Sequence, residues 1–351
     1  RQAYESLMKV KQDSIQGRLG LAQLAVMNND IAGAEILLEQ VFEIDGQSKE
    51  AWLFKGNLAF SRRNYDVSEK AFQWVIDHDH TNVLSVMGSA ARVSLIRARL
   101  AQNDNDGALQ DIKELEGLKS KHPILKYFRA LIAYRAQNYE KAQEYLYEVE
   151  KQWADFLPNI LLMGSTYFAQ GQYLQAEQYL SRYVKVDPAH IPARKLLADV
   201  RIRLNQPEKA LEMLMPLVGT EEENVELLSV VGNASLLAGD YQAGTTYLRK
   251  AVELSPGRAV VREQLAYAYL QGGETDRAIK EIESVIAHDD TQFRSTALLV
   301  IAHLQKKDVD QALQAGKQLQ DKFPSDPRSY WMMAGVYQVS HENEKVIEQL
   351  D

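Results

Sequence analysis

The chain of 351 residues contains no cysteine. Disulfides, thiolate nucleophiles and thiolate metal sites are therefore excluded. A chain without cysteine suits the cytosol and an oxidising periplasm equally, so this absence does not choose a compartment. Long apolar runs are missing too. The longest, Thr296 to Leu304, falls far short of the roughly 18 residues that cross a bilayer. No signal peptide is visible, and the chain opens on Arg1, which leaves any targeting segment upstream. Basic residues are spread along a chain of formal net charge −8. The concentrated cationic face that nucleic acid requires is absent, as is one for an anionic membrane surface. There is no Gly-rich phosphate loop, and neither Gly88-Ser89 nor Gly164-Ser165 has the setting of a nucleophile turn. The expectation is a chain that is not an enzyme, with no catalytic residue, no cofactor and no metal.

What is present is a period. Apolar residues make up 46% of the chain, enough for an extensive core. Ala142, Ala176, Ala210, Gly244, Ala278 and Ala312 are small and each lies 34 positions after the last. They set repeat starts at 123, 157, 191, 225, 259, 293 and 327. A second small residue recurs at the eighth position, as Ala130, Gly164, Ala198, Gly232, Ala266 and Ala334, with Val300 the exception. Large apolar anchors follow each second-helix small residue: Leu146, Leu180, Leu214, Leu248 and Ile282, with Gly316 breaking the row. Small residues let the helices of a hairpin approach to roughly 8–10 Å, and the large ones form the buried stripe. Gly171, Gly239 and Gly273 fall between paired helices, where a left-handed residue ends the first helix. Asp187-Pro188, Ser255-Pro256 and Phe323-Pro324 close repeats, and Pro158 and Pro192 open them.

The expected fold is all-α, a right-handed α-solenoid or superhelix of about nine to ten helix-turn-helix repeats. Three stretches are distinguished. Residues 1–82 hold N-terminal units, the first one partial, with residues 1–12 reading as a preceding second helix. Residues 83–122 hold an irregular repeat with a lengthened first helix over Val83 to Ala101, since Ala108 follows Ser68 by 40 residues and not 34. Residues 123–351 hold the regular array, its last unit truncated. Pro216 should shorten the second helix that contains it, and Gly219 to Glu223 reads as a linker. The ends lack polar capping units, which reads as a piece of a longer array.

This pattern resembles the tetratricopeptide repeat over nearly the whole chain. Two stretches are also similar to one narrower family. They are His122-Pro123-Ile124-Leu125-Lys126-Tyr127-Phe128-Arg129-Ala130-Leu131 and Ile191-Pro192-Ala193-Arg194-Lys195-Leu196-Leu197-Ala198, the latter followed by Leu204 to Leu211. That family is the repeat lipoproteins of the PEP-CTERM/exosortase system. The resemblance implies a non-catalytic scaffold for protein–protein interactions in the bacterial envelope, working with exopolysaccharide export and protein sorting. It also implies a periplasmic location, held at the outer membrane by an upstream lipidated cysteine. The alternatives are a cytoplasmic scaffold or co-chaperone, and the regulatory repeats of a larger enzyme.

Within the repeat, first helices line the concave side. The phasing places Asn57, Phe60, Tyr127, Tyr134, Phe168, Lys195, Tyr267 and Trp331 there as candidate contacts for a protein or peptide partner. Glu50, Leu53, Leu131, Leu161, Ser165, Asp199, Glu263 and Ile301 share that face. Exposed aromatics bury area at low entropic cost. The Lys and Asn clamp used by some such repeats for acidic peptide termini fails, because Leu53 precedes Asn57 and Asp199 follows Lys195. Asp77-His78-Asp79-His80 and Asn103-Asp104-Asn105-Asp106-Gly107 read as polar turns; in the second, Gln102 and Lys113 stand where calcium ligands would be needed.

Overall fold

A computed structural model of the chain describes residues 14–79, 85–118, 122–220, 223–288 and 292–350. The expected partial helix over residues 1–12, His80 and Val83 lie outside the described residues. Among those described there are twenty α-helices and no strand. They pair in sequence as ten hairpins and pack in two compact units, Arg1–Ala154 and Asp155–Asp351.

The first unit holds α1 (Ile15–Met27), α2 (Ile31–Ile44), α3 (Lys49–Ser61), α4 (Tyr65–Asp77), α5 (Val86–Ala101), α6 (Asn105–Gly117), α7 (Ile124–Arg135) and α8 (Tyr139–Gln152). The second holds α9 (Leu157–Ala169), α10 (Tyr173–Val186), α11 (Ile191–Arg203), α12 (Pro207–Leu214), α13 (Val225–Leu237) and α14 (Tyr241–Leu254). It continues with α15 (Ala259–Gln271), α16 (Thr275–His288), α17 (Phe293–Lys306), α18 (Val309–Lys322), α19 (Pro327–Val339) and α20 (Asn343–Leu350). In each unit the odd-numbered helices are the first of a pair.

The period is written in the turns. A left-handed residue ends the first helix of every hairpin, at 29, 63, 103, 137, 171, 205, 239, 273, 307 and 341. Each lies 34 residues after the last, except that 103 follows 63 by 40. The slip falls where α5, the longest described helix at 16 residues, begins at its Ser85 cap. The next N–H reaches back five residues, as from Asp240 to the Ser235 carbonyl at 2.9 Å. That is the bond that closes a Schellman turn. The same residue then caps the second helix: Asp30, Asn64, Asp104, Asn138, Asp240 and Asp308 each accept from the N–H three residues on.

Packing follows the small-and-large rule. Ala142, Ala176, Ala210, Ala278 and Ala312 are fully buried, and so are the anchors Leu146, Leu180, Leu214, Leu248 and Ile282. A Cβ on Gly164 would stand 2.7 Å from Leu180 Cγ, so the glycine makes room for the anchor side chain of the paired helix. The two exceptions belong to one hairpin, α17–α18. Val300 replaces the small residue, Gly316 replaces the anchor, and Met333 of α19 occupies the space beside Gly316, 3.1 Å from where its Cβ would be. Pro216 acts as expected. Helix α12 stops at Leu214 after eight residues, and the chain tightens into a 3₁₀ turn over Met215–Leu217.

Candidate partner-binding surface

First helices touch first helices within each unit, α3 with α5 in one, and α9, α11, α13, α15, α17 and α19 in succession in the other. Residues on the free side of such a row share one surface. By exposure the candidates fall into two groups.

Asn57, Tyr267 and Trp331 are exposed, Tyr267 at 44% and Trp331 at 64%. Ile301 stands 34 residues after Tyr267 on the adjoining helix and is 39% exposed. Val260 and Val339 are exposed on the same row. Scattered exposed apolar residues are ordinary, but a series recurring on adjoining helices is a patch.

The second group is half-buried. Phe60, Tyr134 and Phe168 occupy one repeat position near the end of their helices. Each leans on the tyrosine that opens the second helix: Tyr65 at 5.6 Å, Tyr139 at 5.6 Å and Tyr173 at 5.8 Å between ring centroids. Arg97 also lies 4.9 Å over the Phe60 ring. Burial raises the Tyr134 phenol above its ordinary value. Tyr127 is half-buried against the core around Phe128 and Leu125. These aromatics are partly covered by their own hairpin and partly open. The sequence could have signalled this, because each is followed five residues later by tyrosine.

Lys195 is half-buried, and its charge adds a little to the lowering of the Glu226 carboxyl, which is due chiefly to a hydrogen bond from Arg258. Asp199 pairs with Arg203 at 3.7 Å. Glu263 corrects the phasing. It is only 2% exposed, accepts a hydrogen bond from Ser295 and lies 3.6 Å from Arg294. The carboxylate is drawn into the α15–α17 contact by these two α17 partners, so it is unavailable to a ligand.

The polar turns are occupied by structure. His78 is stacked 3.9 Å from Trp74 and hydrogen-bonds the Trp74 carbonyl. Asp79 accepts from Ser85 at 2.8 Å. Asp104 caps α6. Among the described residues no group of three or more acidic or histidine side chains is arranged to hold a metal, and no helix is long and apolar enough to cross a membrane.

Comparison with known proteins agrees with this geometry. One tetratricopeptide-repeat family matches residues 167–229 and 235–299, and a second matches 93–155; together they span more than half of the chain. No curated protein matches. Among solved structures, PilW, a widely conserved type IV pilus biogenesis factor, is similar with a TM-score of 0.53 at 16% identity, over 62% of this chain and 99% of PilW. The C-terminal part of a repeat protein from Cytophaga hutchinsonii is similar with a TM-score of 0.53 at 16% identity, over 69% of this chain and 99% of that one. At such identity the likeness establishes the fold alone.

Proposed function

We propose that this tetratricopeptide-repeat chain is a non-catalytic scaffold whose first-helix row docks protein or peptide partners. The observation that carries the reading is the recurrence of exposed apolar side chains on adjoining first helices, Tyr267 and Ile301 at one repeat position with Trp331 beside them. Rigid aromatic anchors on a surface of mixed charge are where interface energy concentrates.

The proposal extends to place and pathway. The runs at 122–131 and 191–211 support a role in the bacterial envelope, periplasmic and lipid-anchored upstream, beside exopolysaccharide-export or PEP-CTERM sorting components. The test is a pull-down from an envelope extract, with the wild-type chain against Tyr267→Ala and Trp331→Ala. Both variants should keep the wild-type circular dichroism and melt, since truncating exposed side chains costs within about 0.5 kcal/mol. Export or sorting components held by the wild type and lost by both variants are the expected result. Equal recovery by all three would remove the row as the docking face. Recovery of cytosolic chaperones alone would remove the envelope role.

A further inference from the structure

Consecutive hairpins meet across the seventh and eleventh positions of the first helix. In α15 these are Leu265 and Tyr269, both buried in one cluster with Leu248 and Val252 of α14. In α3 the same positions hold Lys55 and Ala59. Volume is missing from this seam, and a cavity of about 520 Å³ opens between α2, α3 and α4. That size falls among small-molecule sites.

The lining is specific. Leu38, Phe42, Leu58 and Ala59 give an apolar floor. Lys55 has no carboxylate partner among the described residues. Its ammonium instead lies 4.6 Å from the Trp52 ring centroid and 5.5 Å from that of Phe42. Glu39 on the opposite helix has no cationic partner among them either. The remaining rim charges, Arg62 and Glu35, are closed on each other. One open cation and one open anion across an apolar floor are the complement of a zwitterion with an apolar body.

We propose that this seam cavity binds a free α-amino acid with a large apolar side chain. The carboxylate meets Lys55, the ammonium meets Glu39, and the side chain rests on Leu38, Leu58 and Phe42. The site is separate from the first-helix row, and either reading can fail without the other.

The experiment titrates the whole chain with L-leucine and L-phenylalanine by calorimetry, with the Trp52 indole followed by NMR. Saturable binding is expected. N-acetyl-leucine and leucine amide, each lacking one charge, should bind at least about tenfold more weakly. Lys55→Met and Glu39→Gln should weaken leucine to a similar degree. Ala59→Tyr, which restores the α15 side chain, should abolish binding. Should that variant misfold, the two charge variants carry the test. Failure of both amino acids to bind overturns the proposal. So does N-acetyl-leucine binding as tightly as leucine, or unchanged affinity in the charge variants.

Discussion

Arg99 and Asp111 in the first unit stand at the repeat positions that Tyr167 and Tyr179 fill in the second, yet the chemistry is opposite. In α5–α6 the guanidinium meets the carboxylate at 2.7 Å. In α9–α10 two phenol rings stack with centroids 5.6 Å apart. Asp111 is only 8% exposed, and its second oxygen has no hydrogen-bond partner. Burial pushes Asp111 up to about 6 against the opposing pull of Arg99, with Glu114, Glu69 and Asp104 adding to the rise. Glu69 is also raised, chiefly by burial. In the second unit the shifted carboxylates move the other way. Glu226, Asp276, Asp326 and Glu342 are held low by hydrogen bonds from Arg258, Lys306, Arg328 and Lys345. The repeat dictates where a hairpin is locked and leaves open whether the lock is polar or aromatic.

Removing half of the polar lock should do the most damage. Arg99→Met strands a buried carboxylate and should cost about 3–5 kcal/mol. Hydrogen exchange should place the loss in α5 and α6. Replacing both residues by tyrosine, as in α9–α10, should recover most of it, because a packed pair removes the uncompensated charge. A loss below about 1 kcal/mol in the single variant would mean that the pair is solvated and the lock lies elsewhere.

Gly164→Leu is the counterpart in the second unit. Its new side chain meets Leu180 inside van der Waals contact. Overpacking of this kind should cost about 1–3 kcal/mol or more, read as a lower melting temperature. Loss of protection confined to α9 and α10 would show that a hairpin can open without its neighbours. Loss spread across the second unit would show that stacking makes it cooperative.

Acid should separate the units by sign. Asp111 is raised in the folded state, so folding favours its proton. That stability is fully present below the ordinary aspartate value and is lost as pH rises toward 6. The loss between about pH 4 and pH 6 is on the order of 2 kcal/mol. Glu226, Asp276, Asp326 and Glu342 are lowered, so their stabilisation is present above ordinary carboxylate values and is lost as pH falls through the depressed ones. Exchange protection at pH 7 and pH 5 should therefore rise on acidification in α5 and α6 and not in the second unit. Asp111→Asn should flatten the first response and leave the second unchanged.

Most of the register was legible in the sequence because it depends on residue size. Small residues at positions 8 and 20, and the proline punctuation, answer directly to backbone approach and to the missing N–H. Glu263 escaped because its burial depends on Ser295 and Arg294, 32 and 31 positions away, and helical periodicity reports only a residue's own face. Phe60, Tyr134 and Phe168 share one repeat position that the sequence assigns to the concave side, while their leaning on Tyr65, Tyr139 and Tyr173 depends on the hairpin turn. The turn residues escaped in part. Gly171, Gly239 and Gly273 announce a left-handed conformation, whereas Arg63, Gln137 and Lys307 do not, since side chains avoid it. Their signal is position alone, one residue before a recurrent cap.

Those turns give the finest comparison. All four in the first unit use a non-glycine residue, Asn29, Arg63, Asn103 and Gln137, at φ between 58° and 63°. Three of the six in the second unit use glycine, at φ 73°, 85° and 76°. A Cβ in this region is strained, and glycine relieves the strain while adding freedom to the unfolded chain. The first term is the larger for Arg and Gln, so Arg63→Gly and Gln137→Gly should each stabilise the first unit by about 0.5–1 kcal/mol. Gly239→Ala should destabilise the second by a similar amount, about 1 kcal/mol. Asn103→Gly should change little, because Asn tolerates the left-handed region and Asp104, which follows it, already caps α6. Denaturant midpoints at constant m-value would read all four. A gain from Asn103→Gly as large as that from Arg63→Gly would show that the cost lies in the turn's backbone geometry and not in the side chain that occupies it.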